Sequence, residues 1–275
     1  MKELSQEELT AVIKTRPQNS HKGTFGRSVL IGGNNLYGGA IIMSAEACVK
    51  AGSGLVSVVT AEKNHTALHA RLPEAMVLDW TLTKECNDLL DTADVILIGP
   101  GLGLDAHSQQ ILDNVLQKQQ SSQWLVIDGS AITLFAQNHY YLNYPQQVVF
   151  TPHQMEWERL SGLKITDQTV VNNQDAQKLL GATIVLKSHR TEIYTPSFQY
   201  RNPLGTPAMA TGGMGDTLAG MITGFLAQFQ DKEAALCAAV YLHSLIGEEL
   251  GKEQYVVLPT EISKNLPYYM KKFEQ

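Results

Sequence analysis

Seven short apolar runs punctuate the chain: SVLIGG (28–33), LVSVVT (55–60), AMVLDW (75–80), DVILIGP (94–100), WLVIDG (124–129), QVVFTP (147–152) and TIVLKS (183–188). Each is rich in β-branched residues, and its apolar character is near-continuous rather than alternating. A strand reads that way when both of its faces are covered, as in a parallel sheet packed between helices. Stretches with helical spacing lie between several of the runs. GAIIMSAEACVKAG (39–52) is Ala-rich and suited to close packing. SQQILDNVLQKQQ (108–120) places Ile111, Val115 and Leu116 on one face. NNQDAQKLLG (172–181) ends on a glycine at a helix C-cap position. This alternation predicts an α/β fold, with a doubly wound, mostly parallel central sheet flanked by helices. EIYTPSFQYRNP (192–203) reads as a hairpin, and helices are expected over 214–229, 232–250 and 260–273. No Pro/Ser-rich linker and no repeat interrupts the pattern, so a single domain over 1–275 is expected.

Hydrophobic residues make up 44% of the chain and charged residues 17%, which is a core-forming composition rather than a disordered one. The formal net charge is −6, and no basic run occurs. That balance argues against a nucleic-acid partner, which recruits clustered Lys and Arg, but leaves room for small anionic ligands. The three cysteines, Cys48, Cys86 and Cys237, are scattered and form no C-x-x-C pair, so neither a disulfide framework nor a zinc site is expected. Cys48 and Cys237 fall in apolar helical segments and read as small core residues. MKELSQEELT at the start carries no signal-peptide core, and no apolar run approaches the ~18–20 residues of a membrane span. A cytoplasmic protein with no membrane partner is expected.

In an open α/β sheet, ligands bind beyond the carboxyl ends of the strands. Polar or glycine-rich segments follow strand after strand here: GGNNLYGGA, GPGLG (99–103), DGSAI (128–132), TPHQMEWERL (151–160) and KSHRT (187–191). A Walker-type G-x-x-x-x-G-K-[ST] is absent, and GGNNLYGG lacks G-x-G-x-x-G spacing. The segment ATGGMGDTLAG (210–220) is the most specific element. At a helix start the amides are free and the dipole favours an anion. Gly212, Gly213, Met214 and Gly215 would then offer an anion hole to a transferring phosphoryl group, with Asp216 as base for the attacking hydroxyl. The alternative is that Asp216 only caps the helix.

The other polar residues admit two readings each. Asp128 either holds water or a metal near a phosphate or anchors the following loop. Glu156 lies three residues after His153, a capping-box spacing that marks it as structural. His153 is either a ligand contact or a hydrogen-bonded loop residue. Lys187 and Arg190 either reach a nucleotide or are solvated strand ends.

Taken in order, HKGTFGRSVLIGG, GGAIIMSAEACVKAGSGLVSV, GPGLG, IDGSAI, TPHQMEWERL, VLKSHRT and NPLGTPAMATGGMGDTLAGMITGFLAQ resemble the ADP/ATP-dependent NAD(P)H-hydrate dehydratase family over nearly the whole chain. The resemblance implies a ribokinase-like fold and a repair lyase. Such an enzyme dehydrates the S epimer of NADH or NADPH hydrate, consumes ADP (or ATP) with Mg2+, and releases AMP and phosphate. It also implies that Ala40, Gly103, His153 and Asp216 line the hydrated-cofactor site. Lys187, Ser188, His189, Arg190, Thr191 and Gly215 would contact the adenine nucleotide, and the chain would form a homotetramer. No metal ligand is assigned. The sequence departs from the family pattern at Gln154-Met155, at Met214 and at Ser188-His189-Arg190. A small-molecule kinase acting on a vitamin-precursor alcohol and a non-catalytic nucleotide sensor are the competing readings.

Overall fold

A computed structural model describes residues 1–275. Its strands are β1 (Lys2–Glu3), β2 (Arg27–Ile31), β3 (Leu55–Thr60), β4 (Met76–Asp79), β5 (Val95–Ile98), β6 (Trp124–Ile127), β7 (Val148–Phe150), β8 (Thr183–Leu186), β9 (Glu192–Tyr194) and β10 (Gln199–Arg201). They form one ten-stranded sheet in the order β1-β10-β9-β8-β7-β6-β5-β2-β3-β4. Pairing from β4 through β8 is parallel, and β9 is antiparallel to both of its neighbours, β8 and β10.

The helices are α1 (Glu7–Val12), α2 (Gly38–Ala51), α3 (His65–Arg71), α4 (Thr83–Thr92), α5 (Ala106–Lys118), α6 (Gly129–Asn138), α7 (Gln154–Ser161), α8 (Val170–Leu180), α9 (Met214–Gln228), α10 (Lys232–Gly251) and α11 (Pro259–Phe273). None is long and apolar enough to cross a membrane. Helices α1, α2, α3, α9, α10 and α11 share one core with Leu30, Val58, Leu97, Val126, Val149 and Val185 of the strands. Helices α4 to α8 cover the other face over Val29, Ile31, Ile96, Ile98, Leu125, Phe150 and Ile184. Successive residues of one strand are thus buried on opposite faces, which is why the runs are continuously apolar.

Except for β3, which fills its run, the strands stop before the apolar runs do. The closing residues of those runs, such as Gly32-Gly33 and Gly99-Pro100, belong to the loops that build the ligand edge. The 192–203 hairpin is present as β9 and β10, and Gly181 closes α8 in the left-handed conformation at φ 73°. DGSAI is not a loop. It opens α6, which buries Ala131, Ile132, Thr133, Leu134 and Phe135.

Strand order reverses at β2. The chain leaves β2 for β3 and β4 on one side, and then places β5 on the other. This is the switch point at which open α/β sheets bind ligands. The loops after β2 and β5 are tied there by Gly33 N–H to Pro100 O at 2.9 Å and Asn34 N–H to Gly101 O at 2.7 Å. Over the same edge lies the first turn of α9, which packs tightly on α2. Gly220 makes that approach possible: a Cβ on it would lie 2.1 Å from the Ser44 carbonyl oxygen. Cys48 and Cys237 are buried, as expected of core residues.

Candidate active site

Helix α9 begins at Met214 with Gly213 as its N-cap at φ 95°, a left-handed conformation that glycine adopts without strain. The turn leaves the amides of Gly212, Gly213, Met214, Gly215 and Asp216 without an acceptor in the protein. Asp216 therefore sits inside the first turn and is not the cap. Its carboxylate accepts no hydrogen bond; only its backbone carbonyl is engaged, by Ser44 Oγ at 2.9 Å. Burial and, after it, the neighbouring Asp128 charge push the carboxyl up to about 6, against the pull of Lys187. A half-buried carboxylate with raised proton affinity and no protein partner is equipped to take a proton from a ligand.

Asp128 does not anchor the start of α6, since its side chain makes no cap bond there. Its Oδ1 instead accepts from Lys187 Nζ at 2.8 Å and from Thr151 Oγ1 at 2.6 Å. Lys187 is consequently no solvated strand end; its side chain is 19% exposed. Burial opposes its charge, yet Asp128, Glu156 and Asp216 hold its pKa above the ordinary lysine value.

His153 is the N-cap of α7. Its Nδ1 accepts from the amides of Met155 at 3.1 Å and Glu156 at 3.2 Å, while Glu156 Oε2 accepts from the His153 amide at 2.8 Å. Glu156 closes the capping box as the spacing implied. Because Nδ1 accepts, the proton of the neutral ring is on Nε2. Burial, then Lys187 and Arg159, keep the imidazole below its usual pKa, so it is neutral at pH 7. His153→Ala should destabilise the fold by about 1 kcal/mol through loss of the cap, read as a lowered Tm.

Ala40, in the first turn of α2, is linked to Asp216 through Ser44, whose Oγ lies 3.1 Å from Ala40 O. Gly103 lies beside Asn34 and Ser108 in the loop after β5. These residues sit on the switch-point side of α9. On the other side, Lys187, Ser188, His189, Arg190, Thr191 and Gly215 all line one cavity of about 590 Å³. Its volume suits a nucleotide-sized ligand. Ser188 to Thr191 form a self-bonded turn, and Arg190 Nη1 ties it to Gly205 O at 3.0 Å. Further lining comes from Leu204–Pro207, Met209 and Ala210 and from Val240, His243 and Ser244 of α10. His243 and Ser244 were not visible as site residues in the sequence, because α10 reads as a buried apolar helix.

The cavity wall and the switch-point loops thus approach α9 from its two sides near Asp216 and the free amides. A family model for NAD(P)H-hydrate dehydratases matches residues 28–268. The chain belongs to the NAD(P)H-hydrate dehydratase family. It is 60% identical to the ADP-dependent (S)-NAD(P)H-hydrate dehydratase of Enterococcus faecalis, over 100% of this chain and 94% of that one. Among solved structures, a ribokinase-like superfamily protein from Enterococcus faecalis superposes with a TM-score of 0.99 at 60% identity, covering 100% of this chain and 97% of that one. The ADP/ATP-dependent NAD(P)H-hydrate dehydratase of Bacillus subtilis, co-crystallised with ATP and Mg2+, gives 0.87 at 30% identity and 99% coverage of both chains. The fold of this dehydratase-family chain is ribokinase-like. At the three places where it departs from the family pattern, the geometry still stands: Met214 keeps its free amide, His153 keeps the capping box, and the Ser188–Arg190 turn keeps its internal bonds.

Proposed function

We propose that the chain dehydrates the S epimer of hydrated NADH and NADPH in the cytoplasm, consuming ADP and releasing AMP and phosphate. The observation that carries this is the Asp216 carboxylate, unpartnered and raised to about 6, one residue beyond Gly215 of the cavity wall and joined through Ser44 to the helix that bears Ala40. The nucleotide takes the 590 Å³ cavity along Lys187–Thr191, with its terminal phosphate toward the Gly212–Gly215 amides. The hydrated nicotinamide ring lies by Ala40, Gly103 and His153.

Hydroxide is a poor leaving group and phosphate a good one. Asp216 takes the ring hydroxyl's proton as its oxygen bonds to the terminal phosphorus and AMP leaves. The amides stabilise the charge on the moving phosphoryl oxygens. The ring nitrogen's electron pair then expels phosphate, and a proton lost from the ring restores the dihydronicotinamide.

Magnesium fits this site as an ion carried on the nucleotide's phosphates. No group of three metal-ligating side chains occurs that would hold it alone, and Mg2+ commonly binds through phosphates and water. When bound, it offsets phosphate charge.

Incubation with hydrated NADH, Mg2+ and ADP should restore the NADH absorbance band. No recovery with ADP or ATP would reject the reading, and accumulation of a stable phosphorylated product would mark a kinase instead. The proposed homotetramer should show four times the 30.2 kDa chain mass in light scattering.

A further inference from the structure

The loops after β6, β7 and β8 converge on one buried carboxylate. Asp128 is 2% exposed, and its Oδ1 receives both Lys187 Nζ and Thr151 Oγ1. Lys187 Nζ in turn stands against the first turn of α9: a methyl group on Gly215 would lie 3.1 Å from it. Burying two charges costs several kcal/mol per ion, and an apolar pair of equal volume would stabilise the fold as well. Stability therefore does not explain the pair. Its placement does, because the ammonium lines the nucleotide cavity beside amides that have no protein acceptor.

We propose that Asp128 is a positioning residue that, acting through Lys187, holds the ammonium over the first turn of α9, where the phosphoryl group is transferred. This rests on the function proposed above. A free lysine side chain carries about 2 kcal/mol of rotamer entropy and would follow whichever phosphate is nearest. Anchored by Asp128, with Thr151 fixing the carboxylate in turn, Nζ is in place before the charge develops, and little reorganisation remains at the moment of transfer.

The ionisable groups around Asp216 are few. Asp128, from the loop after β6, and Lys187, from the end of β8, act on Asp216 directly; His153 and Glu156, from the start of α7, face that pair, and His243 of α10 reaches the Met214 backbone in the same turn. From α2 come Met43 and Ser44, neither of which ionises. Removing the Asp128 charge leaves Lys187 unpaired near Asp216, so the base should lose its proton more easily.

The test is steady-state kinetics across pH with hydrated NADH, ADP and Mg2+ on the wild-type chain, Asp128→Asn, Asp128→Glu, Lys187→Ala and the Asp128→Asn/Lys187→Ala double variant. Asp128→Asn should lower kcat by about 10- to 100-fold with little change in KM for ADP, and its acid limb should move to lower pH. Asp128→Glu keeps the charge but displaces the ammonium, so kcat should fall with the limb in place. The double variant should be no slower than Lys187→Ala alone. Wild-type kcat in Asp128→Asn, an unmoved limb, or additive losses in the double variant would overturn the proposal. If Asp128→Asn does not fold, Asp128→Glu at the wild-type rate overturns it. A wild-type chain without turnover counts against the functional reading instead.

Discussion

Asp216→Asn is expected to lower kcat by about 10³-fold while ADP still binds. The amide cannot take the hydroxyl proton, but the features proposed to hold the nucleotide stay intact. The free amides of Gly212 to Gly215 are backbone groups, and the Lys187–Thr191 wall lies across the cavity. The substitution is nearly isosteric and breaks no hydrogen bond, because the carboxylate makes none within the protein. Calorimetric titration with ADP should give a Kd close to wild type. A variant that turned over at the wild-type rate would remove Asp216 from the chemistry. One that lost ADP binding would make it a ligand contact rather than a base.

As the proposed base, the same carboxyl should set the acid limb of the reaction. Its pKa is raised from 3.8 to about 6, so kcat/KM should rise through about pH 6 and level off above it. The stability consequence has the opposite direction. Between about pH 4 and 6 the folded chain keeps a proton that the unfolded chain has lost, so folding stability falls as pH rises through that window. At neutral pH the ionised group costs at most about 3 kcal/mol, less whatever water reaching the half-buried group screens. Asp216→Asn should therefore melt higher than wild type at pH 7, and the difference should vanish below about pH 4. Paired thermal melts at the two pH values check this.

How far the sequence foretold this arrangement depends on how local each feature is. The seven central strands were legible because burial on both faces leaves a continuous apolar run. The two-residue β1 was not, since an exposed pair of residues carries no periodicity. Helices α1, α3 and α4 were missed because they are short or polar on most of their surface, α7 was marked only by its capping-box spacing, and α6 was missed because its Gly-Ser opening reads as a turn. At the site, Asp216 stood out as an acid in a glycine-rich helix start, and Lys187–Thr191 as a polar segment directly after an apolar strand. The Asp128–Lys187 pair did not, because its partners are 59 residues apart. They meet only because β6, β7 and β8 are adjacent and parallel. Each residue alone allowed a solvated or loop-anchoring role, and only strand order removes that choice.

The glycines of ATGGMGDTLAG looked alike in the sequence, and the fold gives two of them, Gly212 and Gly220, opposite expected responses to alanine. Gly212 has open space where a Cβ would go, with nothing within 4 Å. Gly212→Ala should fold with wild-type stability and keep its amide. At Gly220 the new Cβ would lie 2.1 Å from Ser44 O, with the Ser44 carbonyl carbon and Cα both at 2.8 Å. Those are backbone atoms of α2 that no rotamer change can move aside. Alanine's helix propensity favours α9 by about 1 kcal/mol. Overpacking a tight core typically costs ~1–3 kcal/mol and more where backbone must shift, so the clash wins. Gly220→Ala should lose about 3 kcal/mol, seen as a lower denaturation midpoint with an unchanged m-value. Separating α9 from α2 also stretches the Ser44 Oγ bond to the Asp216 carbonyl, a 2.9 Å contact that ties the base to the helix bearing Ala40. Activity per folded molecule should therefore fall as well, whereas a purely thermodynamic defect would leave it at the wild-type level below the melting transition.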